Sequence, residues 1–152
     1  MPAHTCKALV IHCIDFRFRK SLAEFLEARF GNSYDLVSVA GGVKRLVSDP
    51  LDNNFILEQV KISDTLHKPE VILLIQHEDC GAYGGSAAFG DFSTEKEAQN
   101  QEPEHAETLL KEQCSQPVEK YLARLSGEMI PYVQVQIRIR HLGLQHNYVS
   151  CW

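Results

Sequence analysis

The sequence lacks several features that would assign it at once to a large class of proteins. No stretch approaches the roughly 20 apolar residues of a membrane-spanning helix, and the N-terminus has no apolar segment after a basic start, so we expect neither a membrane span nor a signal peptide. There is no basic patch interleaved with aromatic residues, and the formal net charge is −5, which argues against nucleic-acid binding. Without repeats, low-complexity segments or linkers, the 152 residues predict a single domain over residues 1–152.

Cysteine is present, but its arrangement is not that of a disulfide framework. The five cysteines are odd in number and widely spread: Cys6, Cys13, Cys80, Cys114 and Cys151. With no export signal, this pattern indicates the reducing cytoplasm, where thiols are free or bound to metal.

Apolar runs alternate with helical patterns along the chain. Strands are expected over residues 7–15, 34–40, 71–75 and 132–142. Helices are expected over residues 19–30 and 49–66, the second with Asp49 as its N-cap. This order predicts an α/β fold with a mainly parallel β-sheet flanked by helices. The last strand alternates apolar and polar residues, which indicates a position nearer the sheet edge and favours a homodimer or higher homo-oligomer.

The segment between the third and last strands is harder to assign. Thr94 and Glu97 could form a capping box, but Pro103 indicates that the longer helix begins near that residue. Apolar residues from Ala106 to Leu125 then fit a helical stripe, which is interrupted at Pro117.

Reactive side chains gather where two of the predicted strands end. Cys13, Asp15 and Arg17 follow the first apolar run, and His77 and Cys80 follow the third. Ligands of open α/β sheets bind at the carboxyl edge of the strands. Two thiolates and one imidazole suit zinc, and three protein ligands leave one position open for water. The spacing therefore predicts a catalytic zinc site, with zinc-bound hydroxide as the nucleophile.

Asp15 has two possible roles at such a site. It could accept a hydrogen bond from the hydroxide while Arg17 keeps it ionised and oriented. It could instead bind the metal as a fourth ligand and close the site, in competition with its pairing to Arg17.

Three short motifs, in the same order and on the same elements, resemble those of the β-class carbonic anhydrases: Cys13-x-Asp15-x-Arg17, Ala40-Gly41-Gly42 and His77-x-x-Cys80-Gly81. The resemblance covers about residues 7–85 and implies one zinc per chain, held by Cys13, His77 and Cys80. It implies a catalytic role for Asp15 and Arg17 in the reversible hydration of carbon dioxide to bicarbonate and a proton. It also favours a homodimer or higher homo-oligomer.

The motifs depart from the family pattern in three places. Glu78 and Asp79 stand between His77 and Cys80, where the family commonly has smaller, less charged residues. Phe16 stands where the family usually has serine, and Gly42 stands where it has asparagine. We expect these two residues, with Gly41 and Tyr83, to line the substrate pocket. We also expect the protein to be a short member without the family's long N-terminal helical extension. Relatives on this fold hydrolyse carbon disulfide or carbonyl sulfide, so these small linear molecules are alternative substrates.

Two further hypotheses involve no hydration reaction. The chain could be a non-catalytic zinc-binding domain that Asp15 keeps closed. Alternatively, His12-Cys13-x5-Arg19 matches the loop of cysteine phosphatases, with Cys13 as nucleophile and Arg19 binding the phosphate. That loop needs approachable backbone N–H groups, whereas this one contains Asp15, whose charge repels phosphate.

Overall fold

One mixed β-sheet forms the centre of the fold. The computed structural model describes residues 4–48 and 50–132, except for the side chain of residue 52. The five strands have the order β2-β1-β3-β4-β5; β1 to β4 are parallel and β5 is antiparallel to β4. The strands are β1 (Ala8–Cys13), β2 (Tyr34–Val39), β3 (Val71–His77), β4 (Val118–Ala123) and β5 (Met129–Pro131). The helices are α1 (Arg19–Phe30), α2 (Val43–Ser48), α3 (Pro50–Leu66), α4 (Phe92–Gln99) and α5 (Gln101–Lys111).

Helices cover both faces of the sheet, and the continuous apolar runs of β1 and β3 explain why. Successive side chains of a strand point to opposite faces, so a strand that is apolar at every position is buried on both. Leu9 and Ile11 of β1 pack with buried residues of α2, α3 and α5. Ala8 and Val10 pack on the other face against α1. Each large aliphatic side chain buried in this way contributes about 1.5–3 kcal/mol.

The predicted α/β fold with a mainly parallel sheet is confirmed. The helix predicted over 19–30 has the bounds of α1, and the three apolar runs form β1, β2 and β3. β1 is shorter than predicted and β3 is longer by Gln76 and His77. The helix predicted over 49–66 corresponds to α3, while the short helix α2 was not predicted.

The helical stripe predicted from Ala106 to Leu125 is wrong beyond Lys111, where α5 ends. From Val118 the chain forms strand β4, pairing with β3 from Ile72 opposite Val118 to His77 opposite Ala123. Lys120 in mid-strand is buried because its Nζ lies 2.7 Å from carboxylate oxygens of both Glu104 and Glu107. Because lysine occupies a buried position, the apolar residues of β4 do not alternate as those of a half-buried strand usually do. Packing of β4 against the rest of the sheet therefore outweighed its local helical pattern.

The acidic stretch before Pro103 also differs from its prediction. It contains helix α4, whose N-cap is Asp91: the Asp91 carboxylate accepts a hydrogen bond of 2.9 Å from the Thr94 backbone N–H. The capping box of Thr94 and Glu97 was therefore misplaced by three residues. Helix α5 follows at once, with Pro103 in its first turn, where a missing N–H costs no hydrogen bond.

Two predictions fall on parts of the chain outside the described residues. They are the N-cap at Asp49 and the alternating strand over 132–142, of which Tyr132 alone is described. Within the described ranges, no helix has the length and apolar character needed to cross a membrane.

Candidate metal centre

The parallel pairing of β1 with β3 brings their carboxyl ends together at one edge of the sheet. Cys13 is the last residue of β1 and His77 the last of β3, and Cys80 follows after a turn. Their potential ligand atoms, two sulfurs and one imidazole nitrogen, all lie within 4.8 Å of one another. Among the described residues, this is the group of histidine, cysteine and acidic side chains that could hold a metal ion.

The His77 ring is oriented as a metal-binding histidine would be. Its Nδ1 lies 2.9 Å from the Glu78 carbonyl oxygen, which fixes the ring and the tautomer. Its Nε2 is buried and has no hydrogen-bond partner among the described residues. An unpaired buried nitrogen is costly, and a metal ion beside two thiols would satisfy it. The donor set of two sulfurs and one imidazole fits zinc.

The two thiols interact strongly with each other. The neighbouring Cys80 thiol is the main cause that lowers the pKa of Cys13 to about 3, and His77 lowers this pKa as well. The same contact, together with burial, raises the pKa of Cys80. The Gly41 backbone N–H also donates to the Cys13 sulfur, at 3.4 Å. The two thiols thus lie close enough for one to stabilise the other as a thiolate, the form that binds metals.

Asp15 and Arg17 form a close ion pair beside this cluster. Arg17 donates to Asp15 from its backbone N–H at 3.0 Å, from Nε at 3.0 and 3.1 Å, and from Nη2 at 2.6 Å. These bonds from Arg17 lower the pKa of Asp15 to about 2. Asp15 is therefore ionised at neutral pH and acts as an acceptor.

A cavity of about 340 Å³ opens on the cluster. Its lining combines small or apolar residues with the reactive ones: Cys13, Ile14, Asp15, Ala40, Gly41, Arg45, His77, Cys80, Gly81 and Ala82. A larger groove of about 460 Å³, lined also by α1 and β2, shares Cys13, Ile14 and Asp15 with it. The segment 13–15 thus borders both spaces.

The four predicted pocket residues have different positions. Gly41 lines the cavity, whereas Gly42 is buried behind it, against β1. Phe16 is 78% exposed at the surface. Tyr83 is not among the described residues that line the cavity; its hydroxyl accepts a hydrogen bond of 2.6 Å from Gln76 Nε2.

Gly42 is required by a close approach to β1, and its replacement by alanine tests this. Its φ is +48°, and a Cβ there would lie 2.8 Å from the Cys13 nitrogen and 2.9 Å from the His12 carbonyl carbon. Gly42→Ala is expected to lower the free energy of unfolding by about 2–5 kcal/mol, as left-handed strain adds to overlap with backbone. Urea denaturation measures this loss.

Gly90→Ala is the matched control, since Gly90 has φ +82° and a Cβ added there would meet no atom within 4 Å. It is expected to cost about 1–2 kcal/mol from strain alone. Equal losses for the two variants would contradict a role of close packing against β1.

A buried carboxylate that no sequence pattern singled out supports the loop between His77 and Cys80. Glu95 of α4 is fully buried and accepts hydrogen bonds of 2.6 Å from the Asp79 backbone N–H and from Ser86 Oγ, and one of 3.1 Å from Gln99 Nε2. Gln99 Nε2 also donates to the His77 carbonyl oxygen at 3.2 Å. No local motif marks Glu95, because its partners come from other segments of the chain.

Comparisons with known proteins agree with this geometry. A protein-family model described as "Putative carbonic anhydrase" matches residues 3–123. An uncharacterized protein of Rickettsia bellii (strain RML369-C) is 29% identical over 126 residues, which cover 78% of this chain and 77% of that protein. The chain therefore belongs to the carbonic anhydrase family that this model describes.

Solved structures support the fold assignment. The carbonic anhydrase of Streptococcus mutans superposes with a TM-score of 0.57 at 15% identity, covering 86% of this chain and 85% of that one. The carbonic anhydrase of Glaciozyma antarctica gives 0.56 at 15% identity, covering 82% and 80%. The sheet flanked by helices is therefore the fold of these two carbonic anhydrases.

The site argues against the phosphatase hypothesis. Arg19 lines the larger groove together with Cys13, but the hypothesis gives no role to His77 and Cys80, which share a cluster with Cys13. The Asp15 carboxylate lines the same cavity as the Cys13 sulfur, and its charge would repel a phosphate.

Proposed function

We propose that the protein is a zinc-dependent carbonic anhydrase that catalyses the reversible hydration of carbon dioxide to bicarbonate and a proton. The observation that carries this proposal is the convergence of Cys13, His77 and Cys80, with an unpaired His77 Nε2 among the described residues, in a chain of this family. In the proposal these three side chains hold one zinc ion per chain. A bound zinc ion would supply a Lewis acid that lowers the pKa of a water at its open position toward neutrality.

Asp15 would orient the attacking water through its acceptor oxygens. Its carboxylate is ionised at neutral pH, so it can accept a hydrogen bond from the O–H of the attacking water. This hydrogen bond would direct a lone pair of the water oxygen at the substrate carbon. Arg17 would keep Asp15 in this position, since four hydrogen bonds join the two residues. Both residues thus have roles that their contacts support.

The cavity suits a small, weakly polar substrate. Ile14, Ala40 and Ala82 give it apolar walls next to the cluster, and carbon dioxide needs little more than an apolar space beside the nucleophile. Arg45 also lines this cavity and would favour the anionic product by its charge. Carbon disulfide and carbonyl sulfide have the same linear shape, so activity assays must separate them.

The test combines metal analysis with a rate measurement on untagged protein purified without chelator. We expect about one zinc per chain by elemental analysis after gel filtration, and stopped-flow hydration of carbon dioxide that is lost on zinc removal and restored by zinc. Zinc with hydrolysis of carbon disulfide or carbonyl sulfide and no hydration would favour the alternative substrates. Zinc with none of these activities would favour a non-catalytic domain. Folded protein without zinc would contradict the proposal.

We also propose that the chain forms a homodimer through α3. Four large apolar residues of this helix are exposed: Leu51, Phe55, Ile62 and Leu66. These residues are four, seven and four positions apart, so the spacing is the same whether it is counted from the N-terminus or from the C-terminus of the helix. An antiparallel helix pair related by a two-fold axis requires this symmetry. In an antiparallel pair of α3 helices, Leu51 would face Leu66 of the partner subunit and Phe55 would face the partner's Ile62.

Charges beside the stripe fit the same arrangement. Glu58 and Lys61 flank it on one side of the helix, and the two-fold axis would bring Glu58 of each copy near Lys61 of the partner subunit. Such pairs fix the register more than they add affinity.

Ile62→Glu tests the dimer. The substitution introduces two charges into a symmetric apolar interface, so we expect the dimer Kd to rise by at least about 100-fold. Light scattering after gel filtration measures the mass. Leu125→Glu is the control, because Leu125 is a similarly exposed apolar residue outside α3. A wild-type monomer, or a dimeric Ile62→Glu variant, would contradict the α3 interface.

We infer a cytoplasmic location from the chemistry of the thiols. The four described cysteines, Cys6, Cys13, Cys80 and Cys114, are free. A site built from two thiolates requires them to stay reduced, which the cytoplasm provides.

A further inference from the structure

Arg17 pairs with two carboxylates, although the motif that contains it accounts for one. Besides Asp15, its Nη1 donates to Asp79 Oδ2 at 2.7 Å, and its Nη2 donates to the Asp79 carbonyl oxygen at 3.0 Å. Asp79 lies between His77 and Cys80, 62 residues from Arg17 in the chain. The guanidinium therefore joins the loop after β1 to the loop that carries the other two candidate ligands.

Asp79 is itself held in place by its own backbone and its other oxygen. Its φ is +56°, a left-handed conformation that aspartate tolerates better than most residues. Its Oδ1 accepts a hydrogen bond of 2.8 Å from the Ser86 backbone N–H, and its own N–H donates to the buried Glu95. Asp79 is thus a fixed anchor, because α4 supports it through Glu95.

Asp15 has a less extensive set of contacts. Its described side-chain hydrogen bonds all come from Arg17, two residues along the chain. A pair of neighbours on a surface turn can move together, since nothing in their mutual bonds fixes them to the rest of the site. The position of Asp15 over the metal cluster therefore depends on what holds Arg17.

We propose that Asp79 is a positioning residue: it anchors Arg17 across the site and so sets where Asp15 stands relative to Cys13, His77 and Cys80. This inference rests on the proposed function for its effect on catalysis, but the anchoring of Arg17 can be measured without any activity. It assigns Asp79, one of the two acidic residues between His77 and Cys80, to the pair of Asp15 and Arg17 rather than to the metal.

Asp79→Asn is the informative variant, because asparagine also tolerates a positive φ and removes the charge that holds Arg17. The first readout is the rate at which phenylglyoxal modifies Arg17, followed by mass spectrometry on the zinc-loaded protein. We expect Asp79→Asn to raise this rate about tenfold, the lower end of what such supporting contacts are worth. Ser86→Ala is the control: it removes the bond from Ser86 Oγ to Glu95 but leaves the Asp79–Arg17 contact in place.

The control decides whether Asp79 acts on Arg17 itself. Faster modification in Asp79→Asn with the wild-type rate in Ser86→Ala would support the proposal. The wild-type rate in Asp79→Asn would overturn it. Equal acceleration in both variants would also overturn it, because a general loosening of the loop would then explain the effect.

The second readout is a double-mutant cycle on carbon dioxide hydration with Arg17→Ala. Asp79→Asn should lower kcat about tenfold with KM and zinc per chain unchanged, and it should have no further effect once Arg17 is absent. Additive losses would overturn the assignment. If zinc-loaded wild-type protein hydrates no carbon dioxide, the proposed function fails, and the labelling of Arg17 still decides whether Asp79 anchors it.

Discussion

Replacement of Cys80 by serine is expected to lower the affinity for zinc by at least about 100-fold. Mutation of a residue that only hydrogen-bonds to a metal ligand already lowers metal affinity roughly 10- to 100-fold, and Cys80 is proposed to be a ligand itself. Cys80 is buried, and its sulfur lies within 4.8 Å of the ligand atoms of Cys13 and His77. A serine hydroxyl is a harder and less acidic ligand than a thiol, so it binds zinc poorly at neutral pH. Serine has nearly the shape of cysteine, and the fold should survive.

The measurement is competition for zinc with a chromophoric chelator, with circular dichroism as the check on folding. Cys114→Ser is the matched control: Cys114 is another free thiol, partly buried, and its Sγ donates to the Leu110 carbonyl oxygen at 3.2 Å. It should keep wild-type zinc affinity. A folded Cys80→Ser protein that binds zinc as tightly as wild type would remove Cys80 from the ligand set.

Asp15→Asn is expected to keep zinc and to lower kcat for carbon dioxide hydration by about 10²- to 10⁴-fold, the usual range for a residue that handles a proton. The carboxylate has acceptor oxygens only, whereas asparagine presents an NH₂ group at one of the two positions. That NH₂ group cannot accept a hydrogen bond from the O–H of the attacking water. If it instead faced Arg17, two hydrogen-bond donors would oppose each other. Geometry is largely kept, so the loss reports on chemistry.

Stopped-flow kinetics at matched zinc content measures this loss. Asp91→Asn is the control, because it makes the same chemical change at the N-cap of α4, where asparagine and aspartate are equally good. It should retain wild-type kcat. Full activity in Asp15→Asn would show that the proposed role of Asp15 is wrong, while loss of zinc would make Asp15 a ligand instead.

Much of this fold could be predicted because its signals are local. The pattern of apolar residues in β1, β3 and α1 involves only side chains that are a few residues apart in the sequence. Strand β4 could not be predicted in the same way. Lys120 is buried in it, and this is tolerable because Glu104 and Glu107 of another element neutralise its charge.

The candidate site divides along the same line. Cys13, His77 and Cys80 could be predicted to meet because each lies at or just after the end of a strand, and parallel neighbouring strands end at one edge. Their roles as zinc ligands stay predictions. Glu95 and the contact between Asp79 and Arg17 could not be predicted, since no local pattern relates residues of separate loops.

By itself, the sequence determined the α/β class, the ligand types and the strand ends at which they lie, because backbone periodicity and side-chain chemistry are properties of short segments. The tertiary structure decided which carboxylates surround Arg17, which face of α3 is exposed and which acid supports the loop after β3. These features depend on contacts between distant segments. A buried charge or a positive φ is tolerated only where such contacts compensate it.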